Sequence, residues 1–529
     1  MIDGEMQAWS LTLDKFLDHA AKWRPDVEVV TARDDGGRDR IGWAGLRARS
    51  LKVSHVLAGL GVGTGDRVAT LAWNTQAHVE AWYAIIGMGA VCHTLNPRLT
   101  EAQLASMIGQ SQARVLIASA DLASLARRVA ARTPGLARVL LIDGPEAAED
   151  PLGKPAVVRL EPLLAGAGTD EIWGRFEETA PSGLCFTSGT TGAPKGVTYT
   201  HRSSYLHTLR LLQADVMGIT GADSVLAAVP MFHANAWGLP FATAAAGCRL
   251  VLPGRNLDGA SLAALINAEG VTIAVGIGTV WLALVEHLET HGGETPSLKR
   301  VIVGGAPMAP ALMERIEQRL GVTVQTSWGM TELSPLGTCA PPVDPSRSAQ
   351  LSGRPAVGVD LRLTDSDGRA LPDQRGGEGH LQVRGPAVVE RYFGDPNAAT
   401  DAEGWFSTGD LARIDAEGNL TITGRAKDLI KSGGEWINPA EIEAVINELP
   451  SVSLAAVIGR QDAKWGERPV LVVQPREGES SEDEDLLEAL RGRVASWWIP
   501  DAVIRLEQMP LAPTGKIDKM RLRVDYGGS

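Results

Sequence analysis

The chain has 529 residues, 44% of them hydrophobic and 21% charged, the balance of a folded globular protein too long for one simple domain. Its formal net charge is -13, so its surface repels nucleic acid and anionic membranes, and neither is expected as a general partner. Four cysteines, Cys92, Cys185, Cys248 and Cys339, lie far apart with no paired spacing, which argues against a disulfide scaffold or a zinc pattern and suits a reduced, cytoplasmic protein.

The first 25 residues are acidic and amphipathic, unlike a secretory signal. From there to about Pro341, short apolar runs alternate with amphipathic ones. "DRVATLAW" predicts a strand and "TQAHVEAWYAIIGMGA" a helix. The apolar stretch "AWYAIIGMGAVCHTL" is short and broken by glycines, so it reads as a core helix and leaves no integral membrane segment. "TEAQLASMIGQS" predicts a helix capped by Thr100, and "ARVLIAS" a strand. The rhythm resumes with strands at "DSVLAAVP", "CRLVLP", "VTIAVGIG" and "KRVIVGGAP", followed by helical stretches such as "DGASLAALINAEG" and "APALMERIEQRLG".

Two such series predict an α/β fold with two packed subdomains of helix-covered parallel sheet. "VDLRLTDSDGRALPDQRGGEGHLQVRG" then predicts an antiparallel or β-barrel-like section, turning at Asp367-Gly368. After "TITGR" the chain mixes "EIEAVINELP", "SLAAVIG", "RPVLVVQP" and an acidic-start helix in "SSEDEDLLEALRGRVASWW". That predicts a small α+β domain over 427–529, behind a large domain over 1–426, with the boundary at Lys427.

Between the two series lies "FTSGTTGAPKG", with three glycines, four hydroxyl residues and one lysine. Glycines let backbone amides approach phosphate oxygens, hydroxyls donate further hydrogen bonds, and Lys195 adds a mobile charge. "SWGMTE" is expected at the end of a parallel strand, where α/β folds place ligands. There Trp328 would stack on a purine, Thr331 would bond a phosphate and Glu332 would ligate Mg²⁺. "STGD", ending at Asp410, reads alone as a loop aspartate, which is usually a turn cap.

Taken in order, "TSGTTGAPKG", "SWGMTE", "STGD", "GRAKDLIKSGGEWINPAEIE" and "PTGKIDK" resemble the adenylate-forming superfamily. That group holds acyl-CoA synthetases, adenylation domains of peptide synthetases and beetle luciferase, and the resemblance spans nearly the whole chain. It implies a large N-terminal domain with a small mobile C-terminal one, and ATP, Mg²⁺ and CoA as cofactors. By position, Thr187, Ser188, Thr190, Thr191 and Lys195 would hold the leaving phosphates. Gly305 and Ala306 would line the adenine and acyl site, with Trp328, Gly329 and Thr331 at the nucleotide. Asp410 and Arg425 would bind the ribose, and Lys516 would reach the carboxylate and α-phosphate. The family rotates its small domain between half-reactions. The hinge would be Lys427, Lys431 would face the site afterwards, and Gly434 would line the CoA tunnel. A homodimer is common in the subgroup.

The resemblance also bears on the acid. His233 would stand near the substrate carboxylate, and Trp237, one turn later in "FHANAWG", would form the wall or gate of the acyl pocket. "KSGGEWI" and "LAWNT" are similar to medium- and long-chain fatty acyl-CoA synthetases. "HANAW" lacks the aspartate that pairs with an amino acid's amine, so an apolar carboxylic acid fits better. Gly278 stands where that subgroup often has proline, and "GGAPMAP" resembles the aryl-acid and luciferase branch. A fatty acid is therefore the expected substrate, with 3-methylthiopropionate, an aryl acid, or delivery to a carrier protein instead of CoA as alternatives.

Overall fold

The computed structural model describes residues 5–144, 149–151, 153–187, 194–433, 435–476, 478–479, 481–512 and 516–528. Ser188, Thr190, Thr191 and Gly434 lie outside the described residues.

The first α/β series makes a seven-stranded sheet. Its spatial order is Ala156–Arg159, Arg138–Ile142, Val115–Ser119, Arg67–Leu71, Val91–Thr94, Pro181–Phe186 and Gly196–Thr200. All neighbours pair in parallel except the last two, which form an antiparallel hairpin. The ends of the glycine-rich segment are the inner ends of that hairpin.

The second series makes a nine-stranded sheet whose middle strands are parallel. These include Thr323–Gly329, Arg300–Val303, Ile273–Gly276, Ser224–Ala227 and Arg249–Leu252. Sequence order alone hid one feature. The early strand Glu28–Ala32 joins this second sheet, parallel to Arg249–Leu252, and so ties the chain start to the second subdomain. Strands such as Val115–Ser119 and Ile273–Gly276 are buried at every position, because helices cover both faces of a parallel sheet.

The antiparallel section is a four-stranded sheet of Asp360–Thr364, Glu378–Arg384, Phe406–Ile414 and Leu420–Arg425. Here buried and exposed positions alternate along Phe406–Ile414, as in a sheet with one dry face. A smaller sheet follows, built around the long hairpin of Val452–Asp462 and Gly466–Pro475. Its two apolar clusters draw only on residues from Ile430 onward, separate from the cores of the preceding sheets.

Two elements differ from expectation. The stretch "AWYAIIGMGAVCHTL" is a helix only to Gly87. Gly89 then takes a left-handed φ of 80°, and Val91–Thr94 becomes a strand. The acidic-start helix is likewise confined to Asp483–Glu488, since the chain turns at Gly492 with a φ of 73°.

Candidate active site

The described ends of the phosphate-type loop close on each other. Thr187 N–H donates to the Lys195 carbonyl at 2.9 Å, and Lys195 N–H donates to Thr187 Oγ1 at 3.2 Å. Lys195 Nζ stands 4.6 Å over the Tyr392 ring, and the Tyr392 hydroxyl donates to Glu332 Oε1 at 2.9 Å. Burial raises the Glu332 carboxyl above its ordinary pKa, against the Tyr392 hydrogen bond and the more distant Arg425 and Lys195. Together with Ser407, Thr408, Arg425 and Lys427, these residues line a cleft of about 900 Å³. A second, more open hollow of about 570 Å³ between Pro97 and Arg132 shares no residue with it, and its Arg128 and Arg132 both pair with Glu101.

"SWGMTE" sits at a strand end. The strand continues through Trp328 to Gly329, and Thr331–Leu333 forms a short 3₁₀ turn. Gly329 has no room for a side chain, since a Cβ there would lie 2.3 Å from the Pro335 carbonyl oxygen. Thr331 is buried, and its carbonyl accepts from the Tyr199 hydroxyl at 2.8 Å.

Asp410 also departs from expectation. It lies inside Phe406–Ile414 and faces Arg425 in register on the next strand. Only 2% exposed, it takes Arg425 Nε at 2.6 Å on one oxygen and Trp328 Nε1 at 3.0 Å on the other. Burial raises its pKa, although Arg425 and Trp328 favour the charged form. The pair is thus a cross-strand ion pair buttressed by an indole, and strand register sets it. Trp328 itself is buried in one apolar cluster with Cys185, Val197 and Phe406.

Lys516 comes from the small C-terminal unit. Its Cε lies 4.0 Å from where a Cβ on Gly305 would be, in a backbone turn with a φ of 85°. Lys516 as a residue is exposed, while its amino group is surrounded by protein. Burial of that group lowers its pKa, helped by Arg425 and Lys427 and opposed by Asp410. Lys427 is lowered too, first by burial. Ala306 is exposed beside Gly305. His233 completes this corner. Burial, then the charge of Lys516, pushes its imidazole down to about 4, so it is neutral at neutral pH.

Trp237 does not follow His233 by an ordinary helical turn. Residues Ala234, Asn235, Ala236 and Trp237 all have positive φ, from 43° to 53°, and Gly238 has 77°. Left-handed backbone costs about 1–2 kcal/mol for each residue with a Cβ, less for asparagine, so the surroundings must impose this turn. Cys185 Sγ donates to Asn235 Oδ1 at 3.2 Å, and Asn74 donates to the carbonyls of Ala227 and Val229 just upstream. Gly238 abuts the His207 ring, and Trp237 is 8% exposed. A Cβ on Gly304 would lie 2.9 Å from Trp237 Cη2, so the tip of the indole rests on that glycine.

The sequence-predicted residues Thr187, Lys195, Glu332, Arg425 and Lys427 thus line one cleft, with Asp410, Trp328 and Lys516 against Arg425 and Gly305. Lys431 stands apart, 5.4 Å over Trp436 in the small unit. Sequence reasoning missed Tyr392, Thr408, Gly304, Asn235 and Cys185. Only Asn235 carried a signal, as a residue type that tolerates left-handed backbone.

Residues 17–393 match the family model described as AMP-binding enzyme, and residues 441–516 match the AMP-binding enzyme C-terminal domain. The chain belongs to the AMP-binding enzyme family. A 3-methylmercaptopropionyl-CoA ligase of Ruegeria lacuscaerulensis is 40% identical to this AMP-binding enzyme over 533 residues, covering 99% of this chain and 98% of its own. A medium-chain-fatty-acid–CoA ligase of Ectopseudomonas oleovorans is 39% identical over 534 residues, covering 99% and 97%. Among solved structures, ATP-bound MatB from Rhodopseudomonas palustris superposes with a TM-score of 0.85 at 27% identity, over 98% of this chain and 99% of that one. Like these curated relatives, the AMP-binding enzyme is an acid–thiol ligase.

Proposed function

We propose that the protein joins an apolar carboxylic acid to coenzyme A in two steps at this cleft. In the first, a carboxylate oxygen attacks the α-phosphorus of ATP and pyrophosphate leaves. In the second, the thiol sulfur of CoA attacks the acyl carbonyl, and AMP leaves as the thioester forms. The observation that carries this reading is the position of Lys516, brought from the small unit over Gly305, next to the Asp410–Arg425 pair.

Each residue has work suited to its chemistry. Asp410 presents a buried carboxylate to the ribose hydroxyls while Arg425 and Trp328 fix its direction. Thr187 and Lys195 hold the departing phosphates, joined by the hydroxyls of the loop between them. Lys516 neutralises the meeting of two anions in the transition state. Neutral His233 orients the carboxylate without adding a second cation beside Lys516. Glu332 fits a Mg²⁺ ligand, since its buried carboxylate faces the phosphate cleft with Tyr392 as hydrogen-bond partner. Among the described residues no group of three or more acidic, histidine or cysteine side chains could hold a metal, so phosphate oxygens and water would supply the other positions. Bound Mg²⁺ would offset phosphate charge.

The small unit is proposed to begin at Lys427 and to turn there between steps, taking Lys516 out of the cleft and bringing Lys431 and Gly434 to the thiol's path. Its self-contained core supports a rigid-body motion. A homodimer and a cytoplasmic setting belong to the same proposal, the latter supported by four buried free cysteines. No helix among the described residues is long and apolar enough to cross a membrane.

An apolar acid is supported by the relatives, one named for 3-methylmercaptopropionate and one for medium-chain fatty acids, which differ in length. The test is AMP release with ATP, Mg²⁺ and CoA over free acids from propionate to palmitate, with 3-methylthiopropionate, benzoate, cinnamates and amino acids. Turnover of apolar acids that is lost without CoA is the expected result. Pyrophosphate exchange without any CoA-dependent AMP would instead assign a carrier protein as acceptor.

A further inference from the structure

The turn that carries Trp237 is left-handed over five consecutive residues, four of which are not glycine. Such backbone does not persist unless contacts outside the turn hold it. One polar side-chain contact reaches into its middle. Thr94 Oγ1 lies 3.2 Å from Cys185 Sγ, and Cys185 Sγ lies 3.2 Å from Asn235 Oδ1. Both Thr94 and Cys185 sit on neighbouring parallel strands of the first sheet, paired in register. The sheet therefore anchors the turn through a two-bond relay. The thiol is 2% exposed, and burial keeps it protonated, with a pKa raised to about 11, so it stays a donor at neutral pH.

The position of the turn has a consequence for the substrate. Lys516 stands over Gly305, and the tip of the Trp237 indole stands over Gly304. Neighbouring Cα atoms are only about 3.8 Å apart. A carboxylate held by Lys516 and His233 would therefore lie beside the two-residue segment that the indole covers, with the indole as the near wall for its chain. We propose that the Cys185–Asn235 contact is a length filter, locking the left-handed turn so that Trp237 closes the acyl pocket and the enzyme selects short apolar acids. Cys185 and Asn235 are positioning residues that act through Trp237, and Gly304 is the seat that only a residue without a side chain can provide. This inference rests on the acyl-CoA ligase reading above.

The test compares kcat and KM for straight-chain acids from propionate to palmitate and for 3-methylthiopropionate, by AMP release in the full-length enzyme. Asn235→Gly removes the acceptor at a φ that glycine adopts freely, and Cys185→Ala removes the donor. Both are expected to raise KM for the short acids and lower it for the long ones. The kcat/KM ratio of octanoate to 3-methylthiopropionate should rise about tenfold, the effect of one lost hydrogen bond acting on both substrates in opposite directions. KM for ATP should change far less than KM for the acids, because neither residue lines the phosphate cleft. Cys185→Ser keeps a donor and should restore the wild-type profile. If Asn235→Gly does not fold, the Cys185 pair decides. Equal acid profiles in wild type and Cys185→Ala, a parallel change in KM for ATP, or a wild-type preference for palmitate would overturn the filter. Those results all require an active wild type. An inactive wild type with every acid would instead remove the ligase reading, and the filter with it.

Discussion

The proposed nucleotide side and the proposed acyl side of the site are built from opposite materials. On the nucleotide side, regular strands set the geometry. Asp410 meets Arg425 because two antiparallel strands pair there, and Trp328 extends a parallel strand to reach the same carboxylate. On the acyl side, the wall is an irregular left-handed turn held by side chains from another sheet. Regular pairing makes the first side hard to vary, which suits a ligand that never changes. A turn that depends on a few contacts can be re-set by a few substitutions, which suits a substrate that differs between relatives.

The sharpest way to break this comparison is at Lys516, where the two sides meet. Lys516→Ala is expected to slow adenylation by about a hundred- to a thousandfold, the scale of a lost transition-state donor. Thioester formation from supplied acyl-adenylate should be largely retained, because the proposed rotation removes the lysine before that step. Equal loss in both half-reactions would show that the lysine serves the fold or the second step.

A smaller effect tests the rigidity of the nucleotide side. Trp328→Phe keeps the packing but leaves one buried oxygen of Asp410 without its donor. That costs about 1–3 kcal/mol, so KM for ATP should rise roughly tenfold while the preference among acids stays fixed. A changed acid profile with normal ATP binding would contradict the division of labour.

The smallest effect separates the two sides by acid. Burial pushes His207, against Gly238 of the turn, down to about 3 and His233 to about 4, from an ordinary value of 6.5. His78, His93 and His201 elsewhere in the core are similarly held, at about 4, 3 and 3. The unfolded chain takes up these protons near 6.5 and the folded one only near 3 to 4. Their contribution to stability is therefore whole above pH 6.5 and lost as pH falls through 6.5 toward 4. Asp410 and Glu332 have the opposite sign, since their raised pKa values mean that acid relieves the cost of burying their charge. Each pKa unit is worth about 1.4 kcal/mol, so the melting temperature should drop by several degrees between pH 7 and pH 5. A flat profile would mean that these histidines are not held neutral.

The same contrast explains what the sequence made legible. Strand–helix alternation announced both large sheets, because period and breaker residues encode them locally. The ordered motifs pointed to Thr187, Lys195, Glu332 and Arg425, and the fold brings these four to one cleft. Asp410 read as a loop residue because "STG" looks like a turn. Its pairing with Arg425 is a matter of register, which no local window carries. The entry of Glu28–Ala32 into a sheet made mostly of residues beyond 220 is equally non-local. The left-handed turn was illegible for a different reason. Alanine and tryptophan have no intrinsic preference for it, and the side chains that touch it, Cys185 and His207, come from a distant strand and helix.

The most direct test of the central claim is to quench the enzyme after mixing with ATP, Mg²⁺ and a mixture of apolar acids without CoA, and to identify the products by mass. An acyl-adenylate that builds up and is converted to the CoA thioester when CoA is added is the expected result. A thioester formed with release of phosphate instead of AMP, and with no adenylate, would contradict the account.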